Sequence, residues 1–174
     1  MKGWHVDRSP VRARSSVDCG SRGVVFPAPS AVTANIYSCS PSAASADTCW
    51  REGTRKRVLC LVDPWSRTLT EYLLDRDPVV GVEPLQRPLP IGLVLADGRR
   101  CRMRVGGAWG ALDQHPTWVG YYSCSRGEVW AAPDSPTGGI DRSSRVWTVQ
   151  VGDRREKLEE VAVRKALFTT SARG

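Results

Sequence analysis

The chain has 174 residues, a formal net charge of +7 and an ordinary globular composition, 41% hydrophobic and 25% charged. It is long enough to bury a core without help from a metal, and no stretch is apolar for the ~20 residues that a membrane-spanning helix needs. Arginine supplies 21 of the 25 cationic residues. That bias fits a GC-rich coding sequence more simply than a specific nucleic-acid partner, since no RNA-binding signature, zinc finger or basic helix accompanies it.

In chain order, residues 1–33 read as a flexible tail. They are rich in Gly, Pro, Ser and Arg, with little periodicity, and such a segment buries too little apolar surface to offset its ordering entropy. They hold basic residues but no apolar signal-peptide core, so an export signal is expected upstream of this chain. From residue 34 the texture changes, and residues 34–170 read as a single β-rich domain. Ile36 to Cys39, Thr48 to Trp50 and Arg57 to Val62 are strand-like, the last two joined by a polar turn. Asp63-Pro64-Trp65-Ser66 ends that strand, because proline cannot continue a ladder, and Thr68 to Leu74 forms the next.

Residues 75–90 carry Pro78, Pro84, Pro88 and Pro90 and read as a long loop. Gly92 to Ala96, the turn Asp97-Gly98 and Arg99 to Val105 form a hairpin with a recognisable turn signal. Side chains alternate faces along a strand, so Arg100, Arg102 and Arg104 share one face and Cys101 and Met103 the other. Gly106 to Gly110 is a glycine-rich loop without the lysine and hydroxyl of a phosphate-binding loop. Trp118 to Cys124, Glu128 to Ala131 and Arg145 to Val151 are further strands. Two readings stand for Arg155 to Leu167. The spacing of Leu158, Val161 and Leu167 suits a helix, and Val161-Ala162-Val163 suits a strand. The fold class is thus mainly β: one antiparallel β-rich domain with long loops and at most one C-terminal helix.

The six cysteines, Cys19, Cys39, Cys49, Cys60, Cys101 and Cys124, are even in number and lack the tight pairs of structural zinc sites. Only His5 and His115 are present as imidazole ligands, and neither has a companion nearby. A disulfide framework and an oxidising compartment follow, with no metal and no cofactor expected. Cys101 with Cys124 is the best supported pair, because both follow alternating strands whose inward faces should meet. For the rest, Cys49 with Cys60 across the polar turn and Cys19 with Cys39 are favoured, with Cys39 to Cys49 a close competitor.

Three groups of residues together resemble small exported proteins of unknown function from mycobacteria and related actinobacteria. They are Cys39-Ser40-Pro41 through Cys49-Trp50, then Leu59-Cys60-Leu61-Val62-Asp63-Pro64-Trp65, and Gly92 to Cys101 with Val119-Gly120-Tyr121-Tyr122-Ser123-Cys124 and Ile140-Asp141-Arg142-Ser143-Ser144 before Trp147-Thr148-Val149. The resemblance covers about residues 35–170. It implies export and an envelope or secreted location, and it supplies no catalytic residues.

No motif for nucleophilic or acid–base catalysis stands out. There is no G-x-S-x-G elbow, and the carboxylates Asp75 and Asp77 sit in a polar turn. Two basic clusters remain: the one-face stripe Arg100, Arg102, Arg104 and the turn Arg55-Lys56-Arg57. Guanidinium groups favour phosphate and carboxylate partners, so these are the candidate anion-binding residues. The expected function is an exported, non-catalytic domain that binds a protein or an anionic component of the cell envelope. The alternative is a secreted hydrolase whose active site follows no recognised motif.

Overall fold

The computed structural model describes residues 5–7, 16–20, 26–39, 46–51, 53, 56–66, 68–77, 80–104 and 111–171. All regular structure in them is strand, and no helix among them is long and apolar enough to cross a membrane. The chain divides into two compact units. Residues 1–88 and 168–174 form one, and Leu89–Leu167 form the other, where the sequence reading drew one domain across 34–170.

Seven strands build the first unit: β1 (His5–Asp7), β2 (Ser16–Val17), β3 (Phe26–Pro27), β4 (Ile36–Ser38), β5 (Cys49–Arg51), β6 (Arg57–Asp63) and β7 (Thr68–Leu74). β3 to β7 form an antiparallel meander. β1 and β2 both lie parallel to β7, Ser16 opposite Leu73 and Val17 opposite Leu74. Parts of the expected tail are among the described residues. Residues 16–20 and 26–33 are built into the unit: Val17, Cys19, Ala28 and Ala31 are buried, and Cys19 is bonded to Cys39. Their apolar side chains are few, but a covalent bond and an open strand edge hold them where composition alone could not.

The final residues return to this unit. Ser30 Oγ lies 3.0 Å from Thr169 Oγ1 and 3.4 Å from Thr48 Oγ1, a buried hydroxyl cluster. Thr169 N donates to Ser30 O, and Val32 N to Thr169 O. Asn35, at φ 64°, occupies the left-handed region that asparagine tolerates, and its Oδ1 accepts from Gly81 N at 2.8 Å. That bond fixes the proline-rich connection to the start of β4. Asp63 caps the end of β6, its Oδ1 accepting from Trp65 N, as the strand-ending turn requires.

The second unit contains β8 (Gly92–Leu95), β9 (Arg100–Met103), β10 (Ala111–Leu112), β11 (His115–Cys124), β12 (Glu128–Ala131), β13 (Ile140–Asp141), β14 (Thr148–Gly152) and β15 (Glu159–Leu167). The segment with two readings is strand throughout. β9 pairs with both β8 and β11, and β15 pairs with both β14 and β8. The ring β8-β9-β11-β12-β14-β15 is therefore a closed antiparallel barrel, with β10 and β13 appended to β11 and β14. Closure removes the exposed sheet edges that would otherwise invite aggregation.

Leu93, Leu95, Cys101, Met103, Tyr122, Val129, Val149 and Val151 fill the interior, all essentially buried. Each large aliphatic side chain so buried contributes ~2 kcal/mol. Alternation breaks once on β15: the register shifts between Val163 and Lys165. Val161 and Val163 pack inward before the shift and Ala166 after it. The extra residue leaves both Arg164 and Lys165 exposed.

The disulfides are Cys19–Cys39, Cys49–Cys60 and Cys101–Cys124, the pairings favoured from the sequence. Cys49 and Cys60 are opposite each other on β5 and β6, and Cys101 and Cys124 on β9 and β11. Each of these two bonds joins side chains that alternation had already turned to the same face.

Candidate binding surfaces of the second unit

The two basic clusters named from the sequence fall on different units. Arg57 belongs to the first unit, where its guanidinium bonds the buried Glu71 carboxylate at 2.6 Å. Arg57 thus helps to balance a charge held in the interior and is part of the fold. Lys56 is exposed and its carbonyl accepts from Leu74 N. Arg55 lies outside the described residues, as does the glycine-rich loop 106–110. Of the carboxylates weighed above, Asp77 bonds Arg51 at 3.1 Å.

The arginine stripe lies on the outer wall of the barrel. Arg100 is exposed, Arg102 and Arg104 are half-buried, and Cys101 and Met103 between them are buried. Arg104 is engaged with Glu128 on the far side of β11. Gly120 permits that crossing: a Cβ there would stand 3.1 Å from Glu128 Oε2 and 3.3 Å from Arg104 Nη1. On the other side of the stripe, Val94 of β8 lies between Arg100 of β9 and Lys165 of β15, and Gly92 lies between Arg102 and Leu167. Strands are ~4.8 Å apart and alternate residues along one ~6.8 Å apart. Arg100, Arg102 and Lys165 therefore make a cationic surface ~10 Å wide, extended by Arg164, and these rows contain no carboxylate.

A second feature lies at one end of the barrel. Adjacent strands of the ring alternate in direction, so the β8–β9 turn, the β11–β12 turn and the β14–β15 connection emerge together. The last two border an open cleft of about 630 Å³, lined in part by Arg104, Glu128, Asp153, Arg154, Arg155 and Glu156. A smaller one of about 230 Å³ adjoins it and reaches Arg99, Arg126, Lys157 and Glu159. Gly127, Asp153 and Glu156 line both.

The connection 153–158 is held through its backbone. The buried Trp130 indole N–H donates to Gly152 O at 2.9 Å, Asp113 N donates to Arg154 O at 3.1 Å, and Gln114 Nε2 donates to Glu156 O at 3.1 Å. Opposite it, Gly127 has φ 73°, and a Cβ there would come within 2.9 Å of the Gly152 carbonyl carbon. The two turns approach this closely because Gly127 carries no side chain. Asp153 through Lys157 all expose their side chains.

At the rim, Arg99 bridges Asp97 at 2.6 Å and Glu159 at 3.0 Å. Its side-chain hydrogen bond, more than its charge, holds the Asp97 carboxyl below the usual carboxylate range. In the interior, burial pushes the Tyr122 phenol well above its ordinary value, and its hydroxyl donates to Pro90 O at 3.0 Å.

Arg126, Arg154, Arg155, Lys157, Asp153 and Glu156 were not singled out in the sequence. The visible signal was the run Asp153-Arg154-Arg155-Glu156-Lys157 directly after an alternating strand, together with a glycine in the preceding turn at 127. Compared with known proteins, the chain matches no protein family, no curated protein and no solved structure.

Proposed function

We propose that this chain is a non-catalytic binding protein of an extracytoplasmic compartment, and that it engages an anionic component of the cell envelope through the barrel wall. The observation that carries this reading is the arrangement of Arg100 and Arg102 on β9 and Arg164 and Lys165 on β15, the two strands that flank β8. A polymer with regularly spaced phosphates or carboxylates meets guanidinium and ammonium groups at comparable intervals on such a wall. Three disulfides support the oxidising location, as does the resemblance to exported actinobacterial proteins.

The test is retention on a column of an immobilised polyanion. The wild-type protein is retained at low salt and elutes as salt rises, since exposed charges are screened over ~10 Å at 0.1 M. Changing Arg100, Arg102 and Lys165 together to Ser removes most of that retention from a protein that still folds. Arg104 is left in place because it is committed to Glu128. Co-elution of the folded triple variant with wild type would refute this reading.

A further inference from the structure

The cleft at the barrel end has a different charge pattern from the wall. Arg154, Arg155, Asp153 and Glu156 line the larger cavity, and Arg126 and Lys157 extend the set into the smaller one. None of these six residues forms an ion pair with another described residue, whereas their neighbours Arg104–Glu128 and Arg99–Glu159 do. On an unconstrained surface, long side chains of opposite sign are free to swing together. Here the β14–β15 connection is clamped by bonds to the carbonyls of Gly152, Arg154 and Glu156. The Gly127–Gly152 approach fixes the facing turn. Opposite charges are thus presented side by side and left unsatisfied by each other.

We infer that this cleft binds a small ligand carrying both a carboxylate and an ammonium group, of the amino-acid or free-peptide-terminus class. Arg154 and Arg155 supply donors for the carboxylate, with the forked geometry that suits two oxygens. Asp153 and Glu156 accept from the ammonium. The open cleft of about 630 Å³ has room for a ligand of that size. A purely anionic ligand would meet Asp153 and Glu156, and a purely cationic one the arginines. Only a ligand with both charges satisfies the whole set. This site is separate from the wall and stands whether or not the wall binds a polyanion.

The experiment is titration calorimetry of the full chain with trialanine, free alanine, N-acetylated trialanine and trialanine amide. Saturable binding of trialanine or alanine is expected, the stronger of the two showing whether a peptide end or a free amino acid is preferred. Capping either terminus should weaken trialanine at least tenfold. The double variant Arg154→Gln/Arg155→Gln should lose the response while retaining wild-type thermal stability and wild-type behaviour on the polyanion column. Absence of binding by both trialanine and alanine at millimolar concentration would overturn the inference. So would equal binding of the capped peptides, or wild-type affinity in the double variant.

Discussion

At the scale of single residues, two glycines with similar backbone angles do different jobs. Gly98 has φ 89° with nothing within 4 Å of where a Cβ would stand, and Gly127 has φ 73° with the Gly152 carbonyl carbon at 2.9 Å. Gly98→Ala therefore carries only the conformational cost of the left-handed region, ~1 kcal/mol. Gly127→Ala adds a backbone collision and should destabilise by ~3 kcal/mol. Urea denaturation of the two variants measures the difference, and equal losses would mean that the turn relaxes freely. Asp97 offers a test by pH. Its carboxyl is held low by Arg99, so its contribution is fully present above the ordinary carboxylate value and is lost as pH falls through the lowered one. Stability should decline below about pH 4, and Asp97→Asn should show less of that decline. Since Asp97 is exposed, the effect is a change of slope rather than an acid collapse.

At the scale of elements, the seam between β9 and β11 closes the barrel wall. Three residue pairs set its register, Met103 with Tyr122, Arg102 with Ser123 and Cys101 with Cys124, and Arg104 N and Ser125 N extend the ladder to Tyr121 O and Arg100 O. The covalent bond is one of the three. In the chain-entropy picture, closing a loop of 23 residues stabilises by ~3 kcal/mol. Replacing both cysteines with Ala should destabilise by about that amount in chemical denaturation; a loss below ~1 kcal/mol would show that the ladder holds the seam unaided. The alternation of Arg100 to Met103 made the inward direction of Cys101 legible in the sequence. The Asp97-Gly98 turn fixed the register of β8 against β9 in the same way. The β15 segment was ambiguous for a physical reason. Its bulge at Arg164 interrupts the period of two, and the interrupted spacing of Val161, Val163 and Ala166 imitates neither element cleanly.

At the scale of the whole chain, the second unit is an insertion whose ends meet. β8 begins and β15 ends as paired neighbours, Gly92 opposite Leu167, and Ile91 N donates to Leu167 O at 2.8 Å. A unit with adjacent ends, its own core and its own disulfide has what independent folding requires. Residues 89–167 expressed alone under oxidising conditions should give a dispersed amide spectrum and a single cooperative unfolding transition; a collapsed spectrum would show dependence on the rest of the chain. The sequence by itself determined the strand-rich class, the hairpin at Asp97-Gly98, the faces of the arginines and the direction of the cysteines. Each of these rests on period-two alternation or local turn chemistry. Tertiary structure alone decided that β15 returns to β8 and β9 to β11 to close a barrel. It also decided that residues 16–17 join β7, and that the turn at 125–127 faces the charged run at 153–157. Alternation specifies which face a side chain takes; it carries no information about which distant strand will cover that face.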